Sequence, residues 1–283
     1  MADFTIRILE TPAEMTLVED LQRDVWPGSE TDIVPAHLLI ANVHNGGVVI
    51  GAFVADELAG MVFGVPAFDE TPDGPRPRHH SHMMGVREAY RSTGIGFALK
   101  RAQWQMVRHQ GLDHITWTYD PLLSVNANLN IARLGAVCNT YFRAYYGEMR
   151  DGLNAGLPSD RFQVDWWIRT KRVERRLSKR PRRALDLDHF TLAGTPSLYP
   201  TRFENDHLIP VEKFDLPDAP LALMEIPENF LALKAIDLPL ARVWRMLTRS
   251  AFEACFAAGY LVTDFVHDHG RSFYVLAHGE ATI

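Results

Sequence analysis

The sequence predicts a mixed α/β (α+β) fold, and three observations carry that prediction. Segments with the two-residue alternation of strands are interleaved with segments of helical period. Two apolar arms flank Asp56-Glu57 as a hairpin, and a Gly-x-Gly turn lies between a strand and a helix.

The elements follow in order. "FTIRIL" (Phe4 to Leu9) alternates as a strand. Thr11-Pro12-Ala13-Glu14 has capping-box spacing with Pro at the first helical position, so a helix should run to about Val25. A second helical stretch starts near Pro35 and stops before Gly46-Gly47. "VVIGAFVA" and "LAGMVFGVPAF" are the hairpin arms, and the polar "DETPDGPRPR" reads as a loop. "HHSHMMGV" (His79 to Val86) is a strand. From Gly94, the residues Ile95, Leu99, Ala102 and Met106 recur at helical spacing, with Gly111 past the end. "HITWTY" is the next strand, and "FQVDWW" a late one. Beyond it, "APLALMEIP" reads as a strand, and Asp237 caps a helix with an apolar stripe of Leu240, Trp244, Leu247 and Ala251. "LVTDFV" and "RSFYVLAHG" then flank a hairpin turn at His267-Asp268-His269-Gly270.

Composition narrows the function classes. With 47% hydrophobic and 23% charged residues in 283, the chain reads as globular with a sizeable core. A basic, apolar leader and a membrane-length apolar run are both missing from this reading, which makes a cytoplasmic protein the expectation. Cys138 and Cys255 lack metal-site or disulfide-framework spacing. The net charge of −6 hides a basic run, "RTKRVERRLSKRPRR" (Arg169 to Arg183), which holds nine of the 29 basic residues. It reads as a solvated helix or connecting segment; no nucleic-acid motif accompanies it, and a local contact with a cofactor phosphate is the other reading. The organisation expected is a domain over 1–170, a basic connector over 171–185 and a C-terminal α+β region over 186–283.

The Gly-x-Gly turn carries the chemistry. A helix N-terminus gathers unpaired N–H groups and the positive end of the macrodipole, and Gly94 and Gly96 remove side chains that would hold a pyrophosphate away. A structural turn is the plainer alternative. The P-loop Lys-Ser/Thr and the third glycine of the dinucleotide fingerprint are both missing.

Arg91-x-x-Gly94-x-Gly96, after a strand ending in Val86 and before "FALK", resembles the signature of the GNAT superfamily of acyl-CoA-dependent N-acyltransferases. The resemblance covers about Phe4 to Arg169, and "NLNIARLGAV", "YYGEM" and "SDRFQVDWWI" are similar to a large, poorly defined branch of it. It implies a mainly antiparallel sheet flanked by helices, with the C-terminal α+β extension added. It further implies an acyl-CoA co-substrate and no metal. The N–H groups of Ser92, Thr93, Gly94, Ile95, Gly96 and Phe97, beside Arg91, would hold the CoA pyrophosphate. Met84 and Val86 would pair their backbones with the pantetheine arm.

Acyl transfer to an amine needs a base, a stabilised oxyanion and a proton for the thiolate. Eleven residues before Arg91 stands His80, where some members of the superfamily place a carboxylate base. An imidazole near its ordinary pKa serves there at neutral pH, and His82 shares its strand face while His79 faces away. Core histidines are the alternative. The tyrosine that many members use as acid corresponds to Ile131, which leaves Tyr119, Tyr141, Tyr145 and Tyr146 as substitutes, with Tyr145 our choice, or water. Asn130, chosen from Asn126, Asn128 and Asn130, would satisfy a pantetheine amide or a turn. Arg161 would read a substrate carboxylate or pair with Asp160.

The expected function is transfer of an acetyl or succinyl group from acyl-CoA to the amine of a small molecule such as an amino acid. A CoA-binding or regulatory module without turnover, and a protein-directed acetyltransferase, are the alternatives. Nucleic acid and membrane are not expected partners. The C-terminal half would cover the acceptor side, complete the sheet or form a homodimer contact.

Overall fold

The computed structural model describes residues 3–28, 30–147, 155–178, 185–204 and 207–279. The end of the basic run, residues 179–184, lies outside them, as do the last two residues of "YYGEM". Contacts divide the chain into two compact units, Met1–Trp117 with Trp167–Arg169, and Thr118–Trp166 with Thr170–Ile283. Among the described residues no helix is long and apolar enough to cross a membrane.

The first unit is a sheet with helices on both faces. Its strands are β1 (Thr5–Ile8), β2 (Val48–Val54), β3 (Glu57–Asp69), β4 (Arg76–Val86) and the first residues of β5 (His114–Tyr119), hydrogen-bonded in that order. β1 to β4 are antiparallel, and β5 is parallel to β4. Alternation along the strands splits the core in two. Val49, Met61 and Phe63 meet α1 (Pro12–Val25) and α2 (Ala36–His44) on one face; Val48, Ile50 and Val62 meet α3 (Ile95–His109) on the other. Burial on both sides explains why the hairpin arms read as continuous apolar runs. The capping box forms as its spacing predicts: the Thr11 hydroxyl accepts the Glu14 N–H, and the Glu14 carboxylate accepts the Thr11 N–H.

The hairpin between β3 and β4 is longer than expected. Arg76-Pro77-Arg78, assigned to a loop, is strand, paired with Asp69, Phe68 and Ala67. Charge explains the extension: the Asp69 carboxylate takes Arg78 Nε at 2.5 Å and His114 Nδ1 at 3.0 Å, locking three strands at that end.

The second unit holds β7 (Arg161–Trp167, to Trp166), β6 (Val137–Phe142), β11 (Tyr260–Asp268), β12 (Arg271–His278) and β10 (Leu221–Ile226), in that order. The predicted β11–β12 hairpin forms, with His269 and Gly270 both at positive φ in its turn. The long helix α8 (Leu238–Ala257) is capped by the Asp237 side chain on the Leu240 N–H. Its Phe252 stands 4.6 Å from the Phe162 ring and 5.3 Å from that of Tyr274, which makes an aromatic centre for this unit. Of the two readings of the basic run, helix or connecting segment, its described part is a helix with Lys171, Glu174 and Arg175 exposed. It forms α5 (Lys171–Leu177), whose Arg172 Nε donates to the Gly135 carbonyl at 3.0 Å and whose Arg176 meets Asp264 at 2.5 Å. Its arginines satisfy sheet-end groups inside this unit, which hydropathy could not indicate.

Removing the ring at the aromatic centre should cost about 3–5 kcal/mol. Urea denaturation of Phe252→Ala is expected to show the unfolding free energy reduced by that amount, as a lower midpoint with an unchanged slope.

Candidate active site

Among the described residues, β4 and β5 pair at His79–Ile115 and His80–Thr116. Beyond His80 this pairing ends, so one edge of β4 from Ser81 to Val86 is without a paired strand among the described residues. The direction of its backbone groups follows from the other edge. Arg87 N–H donates to the Ala59 carbonyl at 2.9 Å, and Val86 stands opposite Gly60. In an antiparallel ladder hydrogen-bonded pairs alternate, so Gly85–Met61 and Met83–Phe63 are the bonded pairs. Met84 and Val86 therefore turn their N–H and C=O groups away from β3, toward the open edge.

A β-bulge prepares this geometry. The register moves from Phe63–Met83 to Gly64–Ser81, which leaves His82 as an extra residue. The bulge switches which side chains face α3. Before it, His79 and Ser81 reach that helix; after it, Met84 and Val86 do. His80 and His82 accordingly share the opposite face, their rings 6.2 Å apart, with His82 against Phe63.

His79 is buried, its Nε2 3.1 Å from Gln103 Nε2. His80 is half-buried, its Nδ1 3.3 Å from the Thr116 hydroxyl, which also accepts from Arg78 Nη1. Here the sequence expectation is corrected. Burial first, then the charges of Arg78, His82 and Lys100, push the His80 imidazole down to about 4 rather than leaving it near its ordinary value. The ring is neutral at pH 7 and binds a proton weakly.

At the head of α3 the chain turns sharply. Ser92 has φ 63° and Gly94 φ 96°, left-handed conformations that aim successive N–H groups to one side. A Cβ at Gly94 would meet nothing within 4 Å, so this glycine serves backbone geometry rather than close packing. The N-cap of α3, Gly94, has no side chain with which to cap the first turn. The loop is anchored: Thr93 donates to the Tyr90 carbonyl at 2.6 Å, and Arg91 Nε to that of Val86 at 3.3 Å. Arg91 thereby ties the turn to the end of the open edge. A groove of about 510 Å³ runs from Phe97 and Arg101 over Ile6, Ile8 and Ile50; it follows α3 and does not reach the strand split.

Sequence reasoning missed Lys100. This residue is buried on α3, with Nζ 2.7 Å from the Ser81 hydroxyl, 3.1 Å from Gln103 Oε1 and 3.7 Å from the Trp117 ring centre. Burial holds its ammonium well below the ordinary lysine value. The buried face of α3 contains Leu99, Lys100, Gln103 and Val107, so two polar residues at i and i+3 on an inward face were the available signal.

The remaining candidates lie in the second unit. Asn130 is buried in a π-helical turn (Asn128–Arg133), its carbonyl accepting the Ala136 N–H, and Ile131 is fully buried beside it. Tyr145 is exposed, its ring between those of Phe142 and Tyr146. Tyr119 and Tyr141 are occupied, one bonded to the Tyr274 hydroxyl and the other to Asp160. Arg161 does not pair with the Asp160 carboxylate. It donates to the carbonyl of that residue, lies 3.9 Å from Asp120 and sits under the Tyr146 ring.

The lowered His80 and His79 values fix a pH dependence. Between their ordinary 6.5 and their folded values of about 4 and about 3, the unfolded chain takes up protons that the folded protein does not. Stability is thus fully present above pH 6.5 and is lost as the pH falls through that window. Urea midpoints should drop between pH 7 and pH 4, and His80→Gln should flatten the upper part of the decline. An unchanged slope in that variant would mean the ring is solvated.

Residues 15–131 match the model of the Acetyltransferase (GNAT) family. Among proteins of curated function, none matches the chain. Several solved structures are similar. The acetyltransferase of GNAT family from Streptococcus pneumoniae is 14% identical, with 58% of this chain and 98% of that one covered and a TM-score of 0.45. Arabidopsis thaliana NAA60 in complex with acetyl-CoA is 18% identical, covering 58% and 99%, at 0.45. An aminoglycoside acetyltransferase from an uncultured soil metagenomic sample is 17% identical, covering 42% and 78%, at 0.37. The matched segment contains the bulge, the open edge and the Ser92–Gly94 turn together, and it is over this segment that the chain matches the Acetyltransferase (GNAT) family.

Proposed function

We propose that the protein transfers an acyl group, acetyl or succinyl, from acyl-CoA to the amine of a small molecule. One observation carries the reading: the outward-facing backbone of Met84 and Val86 runs directly into the glycine-led N-terminus of α3. An amide-bearing pantetheine chain fits an edge that offers alternate N–H and C=O groups, and a pyrophosphate fits N–H groups at a helix start. Ser92 through Phe97 would hold that pyrophosphate.

The neutral imidazole of His80 faces the split on the side away from α3. A base of low pKa is ill suited to take a proton from a free ammonium. It suits the nitrogen after attack on the thioester, when that nitrogen bears a positive charge and is more acidic. The C–N bond forms, the nitrogen loses its proton to His80, and the C–S bond breaks. Water can protonate the thiolate. Buried Ile131, where the superfamily often carries a tyrosine, favours the second reading, a CoA-binding module without turnover.

Release of free thiol from acetyl-CoA and succinyl-CoA, followed against a panel of small amines, separates the two readings. Gly96→Glu should weaken CoA binding at least about tenfold, each lost charge-assisted bond costing about 1.5–3 kcal/mol. Unchanged affinity by calorimetry in a folded variant would remove the turn from the site. His80→Ala should lower turnover about 10²–10⁴-fold while CoA affinity holds. Retained turnover with chemistry still rate-limiting would assign proton transfer to water or His82.

A further inference from the structure

Within the second unit, arginines and carboxylates meet in unequal terms. Asp160 is saturated: it accepts Arg249 Nε and Nη2 at 2.8 Å each, the Tyr141 hydroxyl at 2.7 Å and the Ala144 N–H at 3.0 Å. Asp120 serves more than one group. Its Oδ1 accepts the Leu122 N–H at 2.9 Å, while Oδ2 accepts Arg245 Nη2 at 2.5 Å and stands 3.9 Å from Arg161 Nη1.

Arg245 is the anomaly. It projects from α8, is 1% exposed, and has the Phe230 ring 5.3 Å from its guanidinium carbon. Its Nε and Nη1 are buried and have no hydrogen-bond partner among the described residues. Those two atoms carry three of the five N–H bonds of the group. A guanidinium cannot shed its charge to escape burial, and each unmet buried donor is a net cost to folding. Such a group persists where something absent from the folded chain alone completes it.

We propose that Arg245 anchors a carboxylate-binding site in the second unit, with Arg161 beside it. One anion of single charge matches the one guanidinium whose donors Asp120 leaves unmet, and a planar carboxylate matches its geometry better than a tetrahedral dianion. Tyr146, 47% exposed over the Arg161 guanidinium, marks the side of the cluster that meets solvent. The site lies wholly within one unit and does not depend on acyl transfer, so it can be tested without CoA.

Acetate, succinate and alanine are titrated calorimetrically into the full chain at constant ionic strength, with alaninamide and chloride as controls. At least one carboxylate should bind saturably with a stoichiometry of one, while alaninamide and chloride do not. Preference for alanine assigns the carboxylate to an amino acid; preference for succinate assigns it to a dicarboxylic group. Arg245→Met, which removes the donors but keeps the length, should weaken binding about ten- to hundredfold, and Arg245→Lys should weaken it by less. Circular dichroism checks folding of both. Should the variants fail to fold, the arginine Nε–H resonances of the unaltered protein provide the readout, and that of Arg245 should shift on titration. Three results would overturn the proposal: no saturable binding of any carboxylate, equal binding of chloride, or unchanged affinity in a folded Arg245→Met protein.

Discussion

A buried amine at the point where two strands part is the contact on which the first unit turns. The last β4–β5 pair is His80–Thr116, and the next residue on each strand, Ser81 and Trp117, touches Lys100 Nζ. The ammonium gives a hydroxyl on one strand and an aromatic face on the other a common partner. It sits on α3, five residues after the helix begins, so a rise of about 1.5 Å per residue sets the vertex roughly 7–8 Å along the axis from the Ser92–Gly94 turn. One rigid helix thus holds both the place where phosphates would lie and the place where the strands open.

That arrangement also determines the electrostatics of the split. Lys100 and Arg78 are cations near His80, and the ring loses solvent on the same strand. Both effects keep it neutral, so its chemistry is that of a weak base rather than of a poised imidazole. The second unit works differently. Its interior holds charge in quantity, with Asp160 fully coordinated and Asp120 divided between partners. Its aromatic centre around Phe252 supplies the apolar burial that lets such groups be enclosed.

Much of the fold was legible because local rules agree with the tertiary result. Thr11-Pro12 announces α1, the apolar arms announce β2 and β3, and Gly94 marks the start of α3. The turn before α3 was legible for the same reason, since glycine spacing at a strand-to-helix junction is a local signal. The extension of β4 back to Arg76 was not, because Arg-Pro-Arg reads as loop until Asp69 is placed opposite it. Nor were the roles of Lys100 and Arg245. Lys100 looks like any polar residue beside an apolar stripe, and Arg245 finds Asp120 across 125 positions of sequence. Titration behaviour was misjudged at His80 because burial and Arg78 act through space.

The bulge at His82 makes β4 a counted segment. Residues on either side of it face α3 with opposite parity, so the strand reads in two frames joined at one position. Substitution at most sites leaves those frames intact. A one-residue insertion or deletion between Arg76 and Val86 does not: it would carry His79 and Ser81 off Lys100 and Gln103, or turn Met84 and Val86 from the open edge toward β3. Descendants of this sequence can therefore vary the composition of β4 while its length stays fixed, and length variation is confined to the turn between Asp69 and Arg76.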